Sequence, residues 1–120
     1  MKLCRLGELD KEKPAIIDKD GSYKDLSGII SDLDPKSLNF QTIEKISKLN
    51  LKDLATIDEN SRIGACVKNP SKFLGIGLNF KDHALEQNLP IPKEPRIFSK
   101  FTNCIIGPND DIEIPKNSKL

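Results

Sequence analysis

The only histidine of the chain, His83, stands three residues ahead of a carboxylate, Glu86, inside the stretch Gly75 to Glu86, GIGLNFKDHALE. The Ala-Leu-Glu-Gln composition that follows favours a helical turn over residues 81–88, where positions i and i+3 share a face and can touch. An imidazole held in one tautomer by a carboxylate is suited to moving protons near neutrality. A third candidate, Lys100, closes the strand-like run Arg96 to Ser99, where its ammonium could reach a carboxylate-bearing ligand or simply solvate a strand end. A His-x-x-Glu pair alone is often only a surface contact. Its neighbours add weight: a glycine-punctuated apolar strand precedes it and Pro90, Pro92 and Pro95 follow, the setting of a segment poised over a pocket.

Other chemistry-bearing patterns point to structure. Gly75-Ile76-Gly77 lacks the third glycine of a dinucleotide fingerprint. Asp110, Asp111 and Glu113 lack the spacing of a calcium loop and follow Gly107-Pro108-Asn109, so a turn and a solvated strand edge are expected. Cys4, Cys66 and Cys104 are odd in number, far apart and set among apolar residues, which predicts reduced, buried thiols.

The elements that must position these residues come from a chain of 120 residues, enough for one domain, or one small domain and part of another, burying roughly two-thirds of its unfolded surface. Nineteen basic and 18 acidic residues leave a net charge of +1 without a block of either sign, so neither nucleic acid nor an anionic membrane is an expected partner. No apolar run approaches a spanning length and the amino terminus has no apolar signal region, which predicts a cytoplasmic protein. Ser118-Lys119-Leu120 spells a peroxisomal import signal, read only at a free carboxyl terminus.

The expected fold class is α+β, mainly β. Residues 1–60 read as a small αβ domain. It has strands at Lys2 to Leu6 and Pro14 to Ile17, a turn at Asp18 to Gly21, and a returning strand at Tyr23 to Leu26. A helix then starts at an Asn39 N-cap, with Leu38 and Ile43 as a hydrophobic staple and Phe40, Ile43, Ile46 and Leu49 as its apolar stripe. Residues 61–71 read as a linker and 72–120 as the start of a second, β-rich unit. There Phe73 to Leu78 forms a strand buried on both faces, and Arg96 to Ser99, Cys104 to Ile106 and Ile112 to Ile114 are strand candidates. No internal repeat is present.

The joined motifs GIGLNFKDHALE, PIPKEPRIFSKFTN and IIGPNDDIEIP resemble the fumarylacetoacetate hydrolase family, most strongly from Phe73 to Ser118. The first seventy residues, including EKPAIIDKDG, are similar to the small amino-terminal domain of many bacterial members. The resemblance implies a mixed β-roll or barrel-like core and an enzyme acting on small 2-oxo or enol acids: hydrolases of acylpyruvates, isomerases, decarboxylases and ureidoglycolate lyases. It implies that His83 and Glu86 lie on a lid and position or deprotonate the attacking water, and that Lys100 lines the substrate pocket. It also implies Mg2+ or Mn2+ on the substrate's 2-oxo-carboxylate, and a homodimer.

The chain departs from the family at its end. The family's metal ligands, a Glu-x-Glu pair after an IPKNS-like segment and a later aspartate, would lie beyond Leu120. The expectation is therefore a truncated core that neither holds the metal nor turns over, with the terminal tripeptide a cut point. The alternative is a non-catalytic αβ module for dimerisation or partner binding.

Overall fold

Strand β1 (Leu3–Leu6) begins a four-stranded antiparallel sheet completed in order by β2 (Lys13–Ile17), β3 (Tyr23–Asp25) and β4 (Thr56–Ile57). The computed structural model of the chain describes residues 1–118. The β2–β3 turn forms as its residue types dictate. Gly21 takes φ +89°, Asp20 Oδ1 accepts from the Ser22 amide at 2.9 Å, and the Asp18 amide donates to the Ser22 carbonyl at 2.9 Å. With Leu3 opposite Ile16 and Cys4 opposite Ala15, the two-residue period sorts apolar side chains to both faces of the sheet.

Each face has its own core. Cys4, Leu6 and Ala15 pack with Ile17, Tyr23, Ile57 and Ile63. Ile16, Leu26 and Ile46 pack with Leu3, Ile29, Leu49 and Leu54, so α1 (Phe40–Ser47) covers this second face through Ile46. Asn39 caps α1, its Oδ1 accepting from the Thr42 amide at 2.9 Å. The expected stripe is narrower than its spacing suggested, because Phe40 is 95% exposed. A strict three-residue repeat falls behind the helical turn, leaving Phe40 about 120° from Ile46 around the axis.

Charge is buried here too. Arg5 lies within the sheet at 4% exposure and makes paired bonds to Asp32 Oδ1 and Oδ2 at 2.6 and 3.1 Å, with further bonds to Glu12 and the Ala65 carbonyl at 3.2 Å. Lys68 reaches Asp32 at 3.1 Å and Arg62 reaches Glu12 at 2.9 Å. Arg62 also grips Asp110 through 2.5 and 2.7 Å contacts, and Asp110 accepts from the Gly107 amide at 2.7 Å. Burial opposes ionisation of Arg5, Glu12 and Asp32. The opposite charges overcome it, raising the Arg5 pKa and lowering those of both carboxyls. The bond from Arg62, followed by the Gly107 amide, likewise lowers Asp110.

Residues Met1–Asn69 and the segment starting at Ile106 form one compact unit, and Pro70–Ile105 forms another. Residues 61–69, read as a linker, lie in the first unit, with Ile63 bridging Leu6 and the Gly64 amide bonded to the Arg5 carbonyl. The second unit holds β5 (Phe73–Gly77), α2 (Lys81–Glu86) and β6 (Arg96–Lys100), with β5 and β6 paired antiparallel. The chain is a mixed α and β structure with more strand than helix, and neither sheet closes into a barrel among the described residues.

Three expectations are corrected. β5 is not buried on both faces: Leu74 is 54% and Ile76 41% exposed, since its single partner β6 covers one edge and neither face. Cys104 to Ile106 and Ile112 to Ile114 are not strands, because no neighbour supplies a ladder; Thr102–Cys104 forms a 3-10 turn instead. Of the three thiols only Cys4 is buried, its pKa pushed up by that burial, while Cys66 and Cys104 are exposed. No helix among the described residues is long and apolar enough to cross a membrane. The tripeptide Ser118-Lys119-Leu120 ends outside the described residues.

Candidate active-site segment

β5 delivers the chain to Leu78, whose φ of +52° is unusual for a branched aliphatic residue, and α2 begins three residues later at Lys81. The helix stops where its sequence allows. Asn88 takes φ +53°, its amide bonds to the Leu85 carbonyl at 3.0 Å, and the Leu89 amide reaches back to the Ala84 carbonyl at 2.9 Å. These two bonds satisfy carbonyls that the helix end would otherwise orphan. Ala84 is the one buried residue of α2, so its other faces are open.

His83 and Glu86 share one of those faces. Nδ1 of the imidazole lies 3.6 Å from Glu86 Oε2, within ion-pair reach and just beyond a hydrogen bond. The other ring nitrogen, Nε2, lies 3.1 Å from the side-chain nitrogen Nε2 of Gln87. One tautomer suits both contacts: a proton on Nδ1 facing the carboxylate and a lone pair on Nε2 accepting from Gln87. The Nε2 lone pair is what a general base presents once the Gln87 side chain gives way. The side chains of His83 and Glu86 are 53% and 77% exposed, so the pair faces solvent. Gln87 was not singled out from the sequence, although its four-residue spacing from His83 marks a shared helix face.

Lys100 ends β6 and is exposed, its ammonium 5.2 Å from the centre of the Phe73 ring and 5.9 Å from that of Phe98. A cavity of about 330 Å³ lies nearby in the chain, walled by the end of β5, Leu78, Asn79, Lys81 and the residues from Ile91 to Pro95. His83, Glu86 and Lys100 are not among its walls. Thus the structure pairs His83 with Glu86 and sets Lys100 in an aromatic environment of its own.

Residues 72–120, which carry all three, match the family described as fumarylacetoacetate (FAA) hydrolase, C-terminal. This segment belongs to the fumarylacetoacetate hydrolase family. Over 118 residues, 98% of the chain, the sequence is 46% identical to a protein of Burkholderia lata named "Putative hydrolase" and 47% identical to one so named from Burkholderia multivorans. A Burkholderia ambifaria protein of the same name is 46% identical. The chain spans 42% of the length of each of these relatives.

Family membership implies a divalent metal, for which the described residues offer no cage. No group of three or more histidine, cysteine, aspartate or glutamate side chains among them could hold a metal ion. A hard cation takes six or more oxygen ligands, and the buried carboxylates Asp32 and Glu12 are already committed to arginines. The residues present therefore do not fit the group, and the chemistry they can support is proton transfer at His83 and anion pairing at Lys100.

Proposed function

We propose that this chain is the amino-terminal portion of a cytoplasmic, metal-dependent fumarylacetoacetate hydrolase family enzyme. Its substrates are small 2-oxo or enol acids, processed by C–C hydrolysis, isomerisation or lyase chemistry. In this reading the described chain supplies the acid–base pair, while the metal ligands come from sequence beyond Leu120. Residues 1–60 form its small accessory domain, residues 72–120 start its catalytic core, and the active form is a homodimer.

The observation that carries the proposal is the 3.6 Å His83–Glu86 pair, solvent-facing on a short helix within the family-matching segment. His83 Nε2, released by the exposed Gln87 side chain, takes the proton of an attacking water or an acidic carbon, and Glu86 steadies the imidazolium through Nδ1–H. Lys100 pairs with the carboxylate of the substrate. Closing the exposed pair over a ligand would exclude water and strengthen both interactions.

In the enzyme of family length, His83→Ala lowers turnover by about 10²–10⁴-fold, the usual worth of a positioned general base, and leaves Mg2+ affinity unchanged. Metal binding measured by calorimetry checks the second half. An equal loss of metal affinity would overturn the assignment, because it would make His83 part of the cage. The 120-residue chain alone is expected to show no Mg2+-dependent hydrolysis of an acylpyruvate.

A further inference from the structure

Lys100 does not simply extend into water from the end of its strand. The antiparallel register places Phe73 opposite Lys100 and Gly75 opposite Phe98, and alternation along each strand brings all four residues to one face of the β5–β6 hairpin. Gly75 has a specific part in this. A Cβ built there would meet the Phe98 ring, 2.8 Å from Cε2 and 2.9 Å from Cε1, so the ring lies across the place where any other residue would carry its side chain. Laid over Gly75, Phe98 forms with Phe73 an aromatic surface that holds the Lys100 ammonium within about 6 Å of both ring centres, the range of cation–π attraction.

We infer that Phe73, Gly75 and Phe98 are positioning residues that hold the Lys100 ammonium ready for the carboxylate of an anionic substrate. The inference rests on the substrate-binding role proposed for Lys100. The physical case is one of entropy and charge. A lysine stem has four rotatable carbons, and fixing it only when the ligand arrives costs affinity. Ring faces restrict the ammonium without neutralising it, as an aspartate would, and leave N–H donors for an incoming oxyanion. No carboxylate among the described residues pairs with Lys100 within ion-pair distance, so its charge is uncompensated there. Gly75 acts at one remove, by admitting the ring.

Two measurements test this. In proton–carbon NMR spectra of the 120-residue chain, the Lys100 ε-methylene is expected upfield of the other lysines, shifted by the rings. Phe98→Leu and Gly75→Ala, which respectively remove and displace the ring, return it to the free-lysine position, whereas Phe98→Tyr retains the shift. A Lys100 signal at the free position in the unsubstituted chain, or one indifferent to both substitutions, overturns the cradle.

In the family-length enzyme with acetylpyruvate as probe, Phe98→Leu and Gly75→Ala raise KM roughly two- to fivefold, the worth of an exposed cation–π contact, with kcat little changed. Phe98→Tyr restores KM, and neither variant adds to the loss already caused by Lys100→Met. A KM effect that persists undiminished in the Lys100→Met background overturns positioning through Lys100. Retained ring shifts with a KM indifferent to Lys100→Met would remove the substrate role of Lys100 and the inference with it. Absent ring shifts with a KM raised by Lys100→Met would remove the cradle alone.

Discussion

The first unit hides its charges and the second shows its apolar residues. Arg5, Glu12 and Asp32 are buried among mutually satisfying partners, with a packed cluster on each face of the four-stranded sheet. The unit from Pro70 to Ile105 instead exposes 54% of Leu74 and 64% of Ile97 on a two-stranded hairpin, a form that is marginal by itself in water. Every residue proposed for chemistry lies in the second unit. If the proposed roles hold, stability and reactivity are built separately here: the described residues of the first unit carry the packed clusters and the buried ion pairs, while the proposed chemistry falls to a unit with little packing of its own.

The sharpest way to break this contrast is to remove Arg5. Arg5→Met leaves Asp32 and Glu12 with less compensation where water cannot replace it, and is expected to cost about 3–5 kcal/mol. That is a large share of the 5–15 kcal/mol typical of a small domain. Urea unfolding followed by a probe in the first unit reads the loss; a change below about 1 kcal/mol would show the network to be dispensable.

Next in size is a matched pair of leucines. Leu26→Ala, at a fully buried site, should cost about 2–5 kcal/mol, whereas Leu74→Ala on the open hairpin should change stability by less than about 0.5 kcal/mol. Equal costs would mean that the hairpin is as well packed as the sheet. Hydrogen exchange extends the comparison residue by residue, with β1–β2 amides expected to outlast those of β5–β6.

Acid should separate the units further. Asp32, Glu12 and Asp110 have pKa values lowered below their ordinary 3.8, 4.5 and 3.8 in the folded state. The unfolded chain therefore binds protons first as pH falls. Their contribution is complete above that ordinary range and is lost progressively as pH drops through it toward the lower folded values. The thermal midpoint of the first unit should be level between about pH 6 and 8 and fall steadily below about pH 4.5. A midpoint that rises on acidification would contradict the ion-pair account.

How much of this was legible in the sequence depended on distance along the chain. The β2–β3 hairpin, the Asn39 cap and the helical turn under His83 rest on residues a few positions apart, where Asp20, Gly21 and Asn39 impose local geometry. The network of Arg5 with Asp32, and of Arg62 with Asp110, spans 27 and 48 residues, and nothing local distinguishes those side chains from solvated ones. Asp110 shows the consequence: its turn with Gly107 was legible from the residue types, whereas its tie to Arg62 was not. The burial of β5 was over-read for the converse reason. An unbroken apolar run specifies that faces can be covered, while only partners determine whether they are.

The smallest expected effect concerns the two residues proposed for proton transfer. His83→Ala and Glu86→Gln should each move the unfolding free energy of the 120-residue chain by less than about 0.5 kcal/mol, because an exposed pair gains little attraction in water and must restrict two side chains to keep it. Circular dichroism melts of both variants would check this. A shift above about 1 kcal/mol would make the pair a strut of α2 and weaken its assignment as a lid. Near-neutral stability combined with lost turnover in the family-length enzyme is the signature of side chains retained for chemistry, and it would place the functional centre in the part of the chain with the least packing to hold it.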